Sequence, residues 1–220
     1  MSRRLIFPLL LGLVGCAILL SLASWQVQRQ DWKRQIIAEV EATIHADPVA
    51  LPPQGAGARY LPVTVTGELG PERILVLVSR KQLGAGRRVI APLEMADGRR
   101  VMVDLGFLPD GLPVPPIAGR VSLRGNIDMP AEVDAYTPAP DPGRDLWFAR
   151  DVPAMAQALR TEPTFIAAAV DLLPSIEAMP ITADAIPDNH MQYAFTWFLL
   201  AAVWAGMTGL LIWRIWQDKT

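Results

Sequence analysis

Two runs free of Asp, Glu, Lys, Arg and His, residues 5–23 and 193–213, stand near the two ends of the chain and limit what it can fold into. A helix rises about 1.5 Å per residue, so about 20 apolar residues cross a hydrocarbon layer of roughly 30 Å, which is the length of each run. In lipid every backbone polar group needs an internal partner, and single runs without strand alternation leave the helix as the solution. The sequence therefore predicts two transmembrane helices with a folded segment between them. A hydrophobic share of 51% over 220 residues agrees, being high for a soluble chain.

Arg3 and Arg4 ahead of an apolar stretch also open a secretory signal peptide, and Leu13, Val14, Gly15 and Cys16 spell a lipoprotein cleavage box. The apolar run continues through Ala17, Ile18, Leu19, Leu20 and Leu22, a length that favours a span. Cys16, the single cysteine, cannot close an internal disulfide and reads as a small residue in a helix interface. Arg214 and Lys219 follow the second run and favour a cytoplasmic C-terminus, while the first run is ambiguous on this test, with Arg3 and Arg4 before it and Arg29, Lys33 and Arg34 after it. Two spans return the N-terminus to the same side, with the segment between them outside. The net charge of -2 carries no basic excess and argues against a nucleic-acid partner.

Domain boundaries are expected at residues 1–25 for the first tail and span, 26–189 for an external β-rich domain, and 190–220 for the second span and tail. Trp25, Trp32, Ile36, Val40 and Ile44 recur at helical spacing, so the first helix should continue to about residue 46, where Asp47-Pro48 ends it. Runs rich in Val, Ile and Thr then predict strands over 60–67, 73–79, 88–94, 99–107, 120–126 and 164–172. Ala96-Asp97-Gly98 is a tight hairpin signal. Asp151 is a candidate N-cap for a helix over 152–159, with Pro153 in its first turn, while residues 110–119 and 130–144 read as Pro-rich loops. The expected class is α+β: a two-helix membrane hairpin with an antiparallel, curled and barrel-like sheet.

Catalytic motifs are sparse. The two histidines, His45 and His190, lie far apart, and no Gly-x-Ser-x-Gly elbow, P-loop or Gly-x-Gly-x-x-Gly occurs. Asp97, Asp104 and Asp145 read as scattered, solvated acids. The densest patch is NHMQYAFTWF, where His190, Tyr193, Ala194 and Trp197 fall on one helix face. That face suits a flat apolar macrocycle with an imidazole as axial haem ligand, although spacing alone favours the plainer reading of an aromatic belt at the water boundary. WQVQRQDWK lies at matching depth on the first helix, where Trp25 and Arg29 offer either a partner for a haem propionate or a snorkelling belt. Ala202 with Gly206, Ala205 with Gly209, and Gly12 with Cys16 form small-residue strips that permit close helix approach.

Four stretches, WQVQRQDWK, VIAPLEMADGRRVMVDLGFLP, LWFARD and NHMQYAFTWFLLA, occur in an order that resembles the surfeit-locus family of cytochrome c oxidase assembly factors. The chain departs from the family at Ala23 and Ser24, where Gly is usual, and at Leu105, where many members carry a basic residue. The resemblance implies a multi-pass protein of the bacterial inner membrane with a periplasmic domain and cytoplasmic termini. It implies no turnover, but help with insertion or retention of haem a in oxidase subunit I, with haem a synthase as a further partner. His190 corresponds to the histidine considered a haem ligand in bacterial relatives. The alternative is a membrane scaffold that stabilises oxidase subunits without touching haem.

Overall fold

The computed structural model describes residues 3–54, 57–81, 83–183 and 190–217. Helix α1 (Arg3–Ile44) has 42 residues and α3 (His190–Gln217) has 28, about 63 and 42 Å at 1.5 Å per residue. Both are long and apolar enough to cross a membrane, and their most apolar windows are only 11% and 6% buried. Leu10, Leu13, Ile18, Phe195, Val203 and Leu210 all face outward. A soluble core helix would have these side chains covered by protein, so the exposed surface is one that lipid suits.

The described residues form two compact units, residues 1–39 with 184–220, and residues 40–183. In the first, α1 and α3 run antiparallel. Ala23, Ala194 and Ala201 are buried, the Cys16 thiol lies 3.9 Å from the Ala201 carbonyl oxygen, and Gly12 and Gly15 receive Thr208 and Trp204. A Cβ on Gly15 would fall 2.2 Å from the Trp204 indole nitrogen, so the absent side chain makes the hole that the ring fills. Of the expected strips, Gly12 and Cys16 lie in this seam. Gly206 and Gly209 do not: nothing approaches within 4 Å of the place a Cβ would take. The bulkier seam residues of α3, Trp204 and Thr208, sit opposite glycines of α1, while Ala201 of α3 sits opposite Cys16.

The second unit is built on strands β1 (Val49–Ala50), β2 (Pro62–Leu69), β3 (Ile74–Arg80), β4 (Gly84–Met95), β5 (Arg100–Pro109), β6 (Gly119–Asp128) and β7 (Phe165–Ala168), with helix α2 (Val152–Leu159). Their order in the sheet is β1-β2-β6-β7-β5-β4-β3. The sheet curls far enough for β2 to pair with β4 as well, Gly67 to Leu69 against Met95 to Leu93. The expected antiparallel sheet is mixed instead, because β1 runs parallel to β2 and β7 parallel to β5. The physical reason is the return of the chain after α2, which slots β7 between β5 and β6 instead of at an edge. The hairpin at Gly98 (φ 84°) joins β4 to β5, and Asp151 caps α2 by accepting from the Ala154 N–H, both as the local chemistry predicts. The strand expected over 164–172 is shorter, ending at Ala168.

Alternation on β5 sorts the core. Val101, Val103 and Leu105 join Val63, Leu93 and Ile166 on one face, while Met102 packs with Ile90, Phe165 and the α2 residues Met155 and Leu159 on the other. Opposite Val89 and Ile90 the register shifts, and Leu105 is the extra residue between Asp104 and Gly106. Gly106 takes φ 121°, where an added Cβ would meet the Glu177 carbonyl oxygen at 2.1 Å. The outer edge of β3 is covered by the LWFARD segment: Leu77 donates to the Trp147 carbonyl and Trp147 to that of Leu75, at 2.8 Å each. Asn126 of β6 donates to the Ile44 carbonyl at 3.0 Å, satisfying one of the orphan acceptors at the end of α1.

Candidate functional site

His190 is the first residue of α3, and its half-buried ring lies against α1. Nδ1 is 2.9 Å from the Gln26 side-chain oxygen, a contact between residues 164 apart in sequence. Among the described residues Nε2 has no hydrogen-bond partner. Continuing along α3, Ala194 is buried, Trp197 half-buried and Tyr193 exposed at 52%. Thus His190, Ala194 and Trp197 line the seam, while the Tyr193 ring flanks it. Asn189, the opening residue of that motif, lies outside the described residues.

On α1, Trp25 is 54% exposed beside Gln26, and the Arg29 guanidinium carbon stacks 4.0 Å from the Trp32 ring centroid. Arg29 is itself exposed, its guanidinium resting on an aromatic face and open to water or an anion. The structure therefore brings His190 together with Gln26, which sequence reasoning passed over, and leaves Trp25, Arg29 and Tyr193 as exposed groups within about one helical turn of that pair. No sequence signal pairs Gln26 with His190, since helix periodicity says nothing of which residue on another helix stands opposite.

A haem brings four equatorial nitrogens of its own, so one imidazole suffices to hold its iron, and exposed aromatic surface suits its apolar faces. His190 with an open Nε2, beside Trp25 and Tyr193, fits that demand on the protein. Arg29, stacked on Trp32 and exposed, is of a residue type that pairs with carboxylates.

The second unit holds a different cluster that sequence reasoning also missed. Asp104, read as solvated, is 1% exposed and paired with Arg88, while its other oxygen accepts from the Gly106 N–H at 3.0 Å. Burial pushes its carboxyl above the ordinary aspartate range, against the pull of Arg88 and Arg150. Arg150 of LWFARD donates through Nη1 to Asp128 at 2.7 Å and through Nη2 to Glu132 at 2.6 Å. Burial opposes the Arg150 charge, but Glu132 first and then Asp128 outweigh it and hold the guanidinium above its usual value. These carboxylates are consumed by arginines: the Asp104–Arg88 pair braces β5 to β4, and Arg150 braces its own segment to β6 and the Pro-rich loop. Next to them a cleft of about 150 Å³ is lined by Pro138, Pro140, Trp147 and Phe148.

A model described as the SURF1 family matches residues 13–202 of this chain. The chain is 31% identical over 209 residues to Surfeit locus protein 1 of Rattus norvegicus, covering 82% of this chain and 68% of that one. It is 31% identical over 211 residues to the Xenopus tropicalis protein of the same name, covering 83% and 68%. With the Homo sapiens protein of that name it shares 30% identity over 210 residues, covering 82% and 69%.

Proposed function

Because this chain belongs to the SURF1 family, we propose that it is an assembly factor for haem-copper cytochrome c oxidase that holds haem a for insertion into, or retention in, subunit I. The observation that carries the haem reading is His190, held on α1 by one ring nitrogen with the other unpartnered among the described residues, at the end of an apolar helix pair. A bound haem would supply the redox-active iron, while the protein's own residues bind and orient it. His190 Nε2 would ligate the iron, Trp25 and Tyr193 would cover apolar surface, and Arg29 would pair with a propionate. In this reading the chain sits in the bacterial inner membrane, with residues 26–189 periplasmic and both termini cytoplasmic. Subunit I and haem a synthase are the partners, membrane lipid surrounds the helices, and the chain performs no turnover.

Full-length protein purified from cells that make haem a should show a haem absorbance band, and His190→Ala should weaken it and lower oxidase content. An unaltered spectrum with unaltered oxidase content removes the ligand role. The scaffold alternative is favoured instead if the chain crosslinks to subunit I and carries no haem. Oxidase yield should follow the protein's copy number in proportion, as for a stoichiometric binder and unlike an enzyme.

A further inference from the structure

A histidine that ligates a metal through one ring nitrogen needs the proton on the other, and the group accepting that proton's hydrogen bond sets tautomer and ring direction. His190 has such an acceptor. The Gln26 amide oxygen lies 2.9 Å from Nδ1, and a side-chain amide oxygen can only accept. With the oxygen turned to the ring, Nδ1 carries the proton and Nε2 keeps its lone pair. The two residues sit in one compact unit, and Gln26 lies on the seam face of α1, one turn past Ala23. That face is packed: Ala23 is fully buried and Gln30, one turn beyond Gln26, is 4% exposed. Gln26 itself is half-buried between them, with its side-chain oxygen on the His190 ring.

We infer that Gln26 is a positioning residue which fixes His190 in the Nδ1–H tautomer and aims Nε2 outward as the iron ligand. This rests on the haem-ligand reading of His190. It adds a role for α1 that goes beyond lipid anchoring: the ligand comes from one helix and its orientation from the other. Loss of comparable outer partners weakens metal binding about 10–100-fold, and that is the effect expected here.

The test uses the full-length protein in detergent with ferric protoporphyrin IX as probe, and needs no oxidase. Nitrogen-15 labelling of histidine reads the tautomer directly. The chain has two histidines, so a His45→Gln background leaves His190 alone in the spectrum. Without added haem, His190 should appear as Nδ1–H. Gln26→Met, which keeps length and removes the acceptor, should lose that preference and bind the probe about 10–100-fold more weakly. Gln26→Glu keeps an acceptor and should retain both tautomer and binding. It serves as the second variant should Gln26→Met fail to fold, and an Nε2–H tautomer in Gln26→Glu counts against the inference.

An Nε2–H tautomer in the otherwise native chain overturns the proposal. So does wild-type probe affinity in Gln26→Met alongside loss of binding in His190→Ala, an outcome that leaves the ligand reading standing. Unchanged probe binding in His190→Ala overturns the ligand reading and the inference with it.

Discussion

Arg150 gives the sharpest test of what holds the second unit together. Replacing it with Met keeps a long apolar stem near Phe165, over which the guanidinium lies at 5.8 Å, and removes only the charge and its donors. Asp128 is then stranded at 8% side-chain exposure, with the Met129 N–H at 2.8 Å and a distant Arg59 at 3.7 Å as remaining partners. Breaking a buried pair by deleting one member costs about 3–5 kcal/mol, and those two partners place Asp128 near the lower end. Glu132 is 41% exposed, so its pairing with Arg150 adds at most about 1 kcal/mol. The expected loss is about 3–4 kcal/mol, a folded-to-unfolded ratio lowered by more than a hundredfold. At about 2–4 °C per kcal/mol, the melting midpoint of the unit should fall by roughly 10 °C. Thermal melts of Arg150→Met followed by near-ultraviolet circular dichroism measure it. Adding Asp128→Asn should recover at least about 1 kcal/mol, because the stranded charge disappears. A single-variant loss under about 1 kcal/mol, or no recovery in the double variant, would refute the view that Arg150 neutralises a buried acid.

The helix pair is checked by Ala201→Cys, which should form a disulfide with Cys16 on oxidation, given the 3.9 Å approach of the thiol to the Ala201 carbonyl. Gly15→Leu should cut that crosslinking severalfold by expelling the Trp204 ring, and equal yields in both backgrounds would disprove the seam. Glu132 sets part of the acid limb of stability. Burial raises its carboxyl, but the side-chain and backbone donors of Arg150 outweigh this and hold it below the ordinary glutamate range. A folded-state value below the unfolded one of about 4.3 contributes stability that is whole above that pH and lost as pH falls through the depressed value. Midpoints measured from about pH 6 to 3 should therefore fall less steeply in Glu132→Gln, and an identical acid slope would dismiss the pairing.

Local chemistry was readable in the sequence wherever a feature depends on neighbours. The Asp97-Gly98 turn, the Asp151 cap and helix 152–159 all stand where expected, since positive φ and an N-cap oxygen act over three or four residues. Long-range order was not readable. β7 pairs with strands some 40 and 60 residues earlier, and a four-residue apolar run, FIAA, does not say between which strands it will fit. β1 has two residues and no pattern to detect. Asp104 reads as a surface acid because a single carboxylate in a strand shows its burial only once Arg88 and Arg150 arrive from elsewhere. At the candidate site, His190 stands out as a rare residue at a span boundary. Gln26 does not, because its meaning lies wholly in what faces it across the helix pair.

The position of β7 has a consequence for how the protein comes into being. Until residues 165–168 are made, β5 and β6 each present a bare ladder of amide and carbonyl groups toward the vacancy between them, and Phe165 is missing from beneath α2. The keystone is thus delivered late, little more than 20 residues ahead of α3. A ribosome stalled before it would display two open, sticky margins to any neighbouring strand, which makes the interval just before the second apolar helix the one in which a nascent copy most needs shielding.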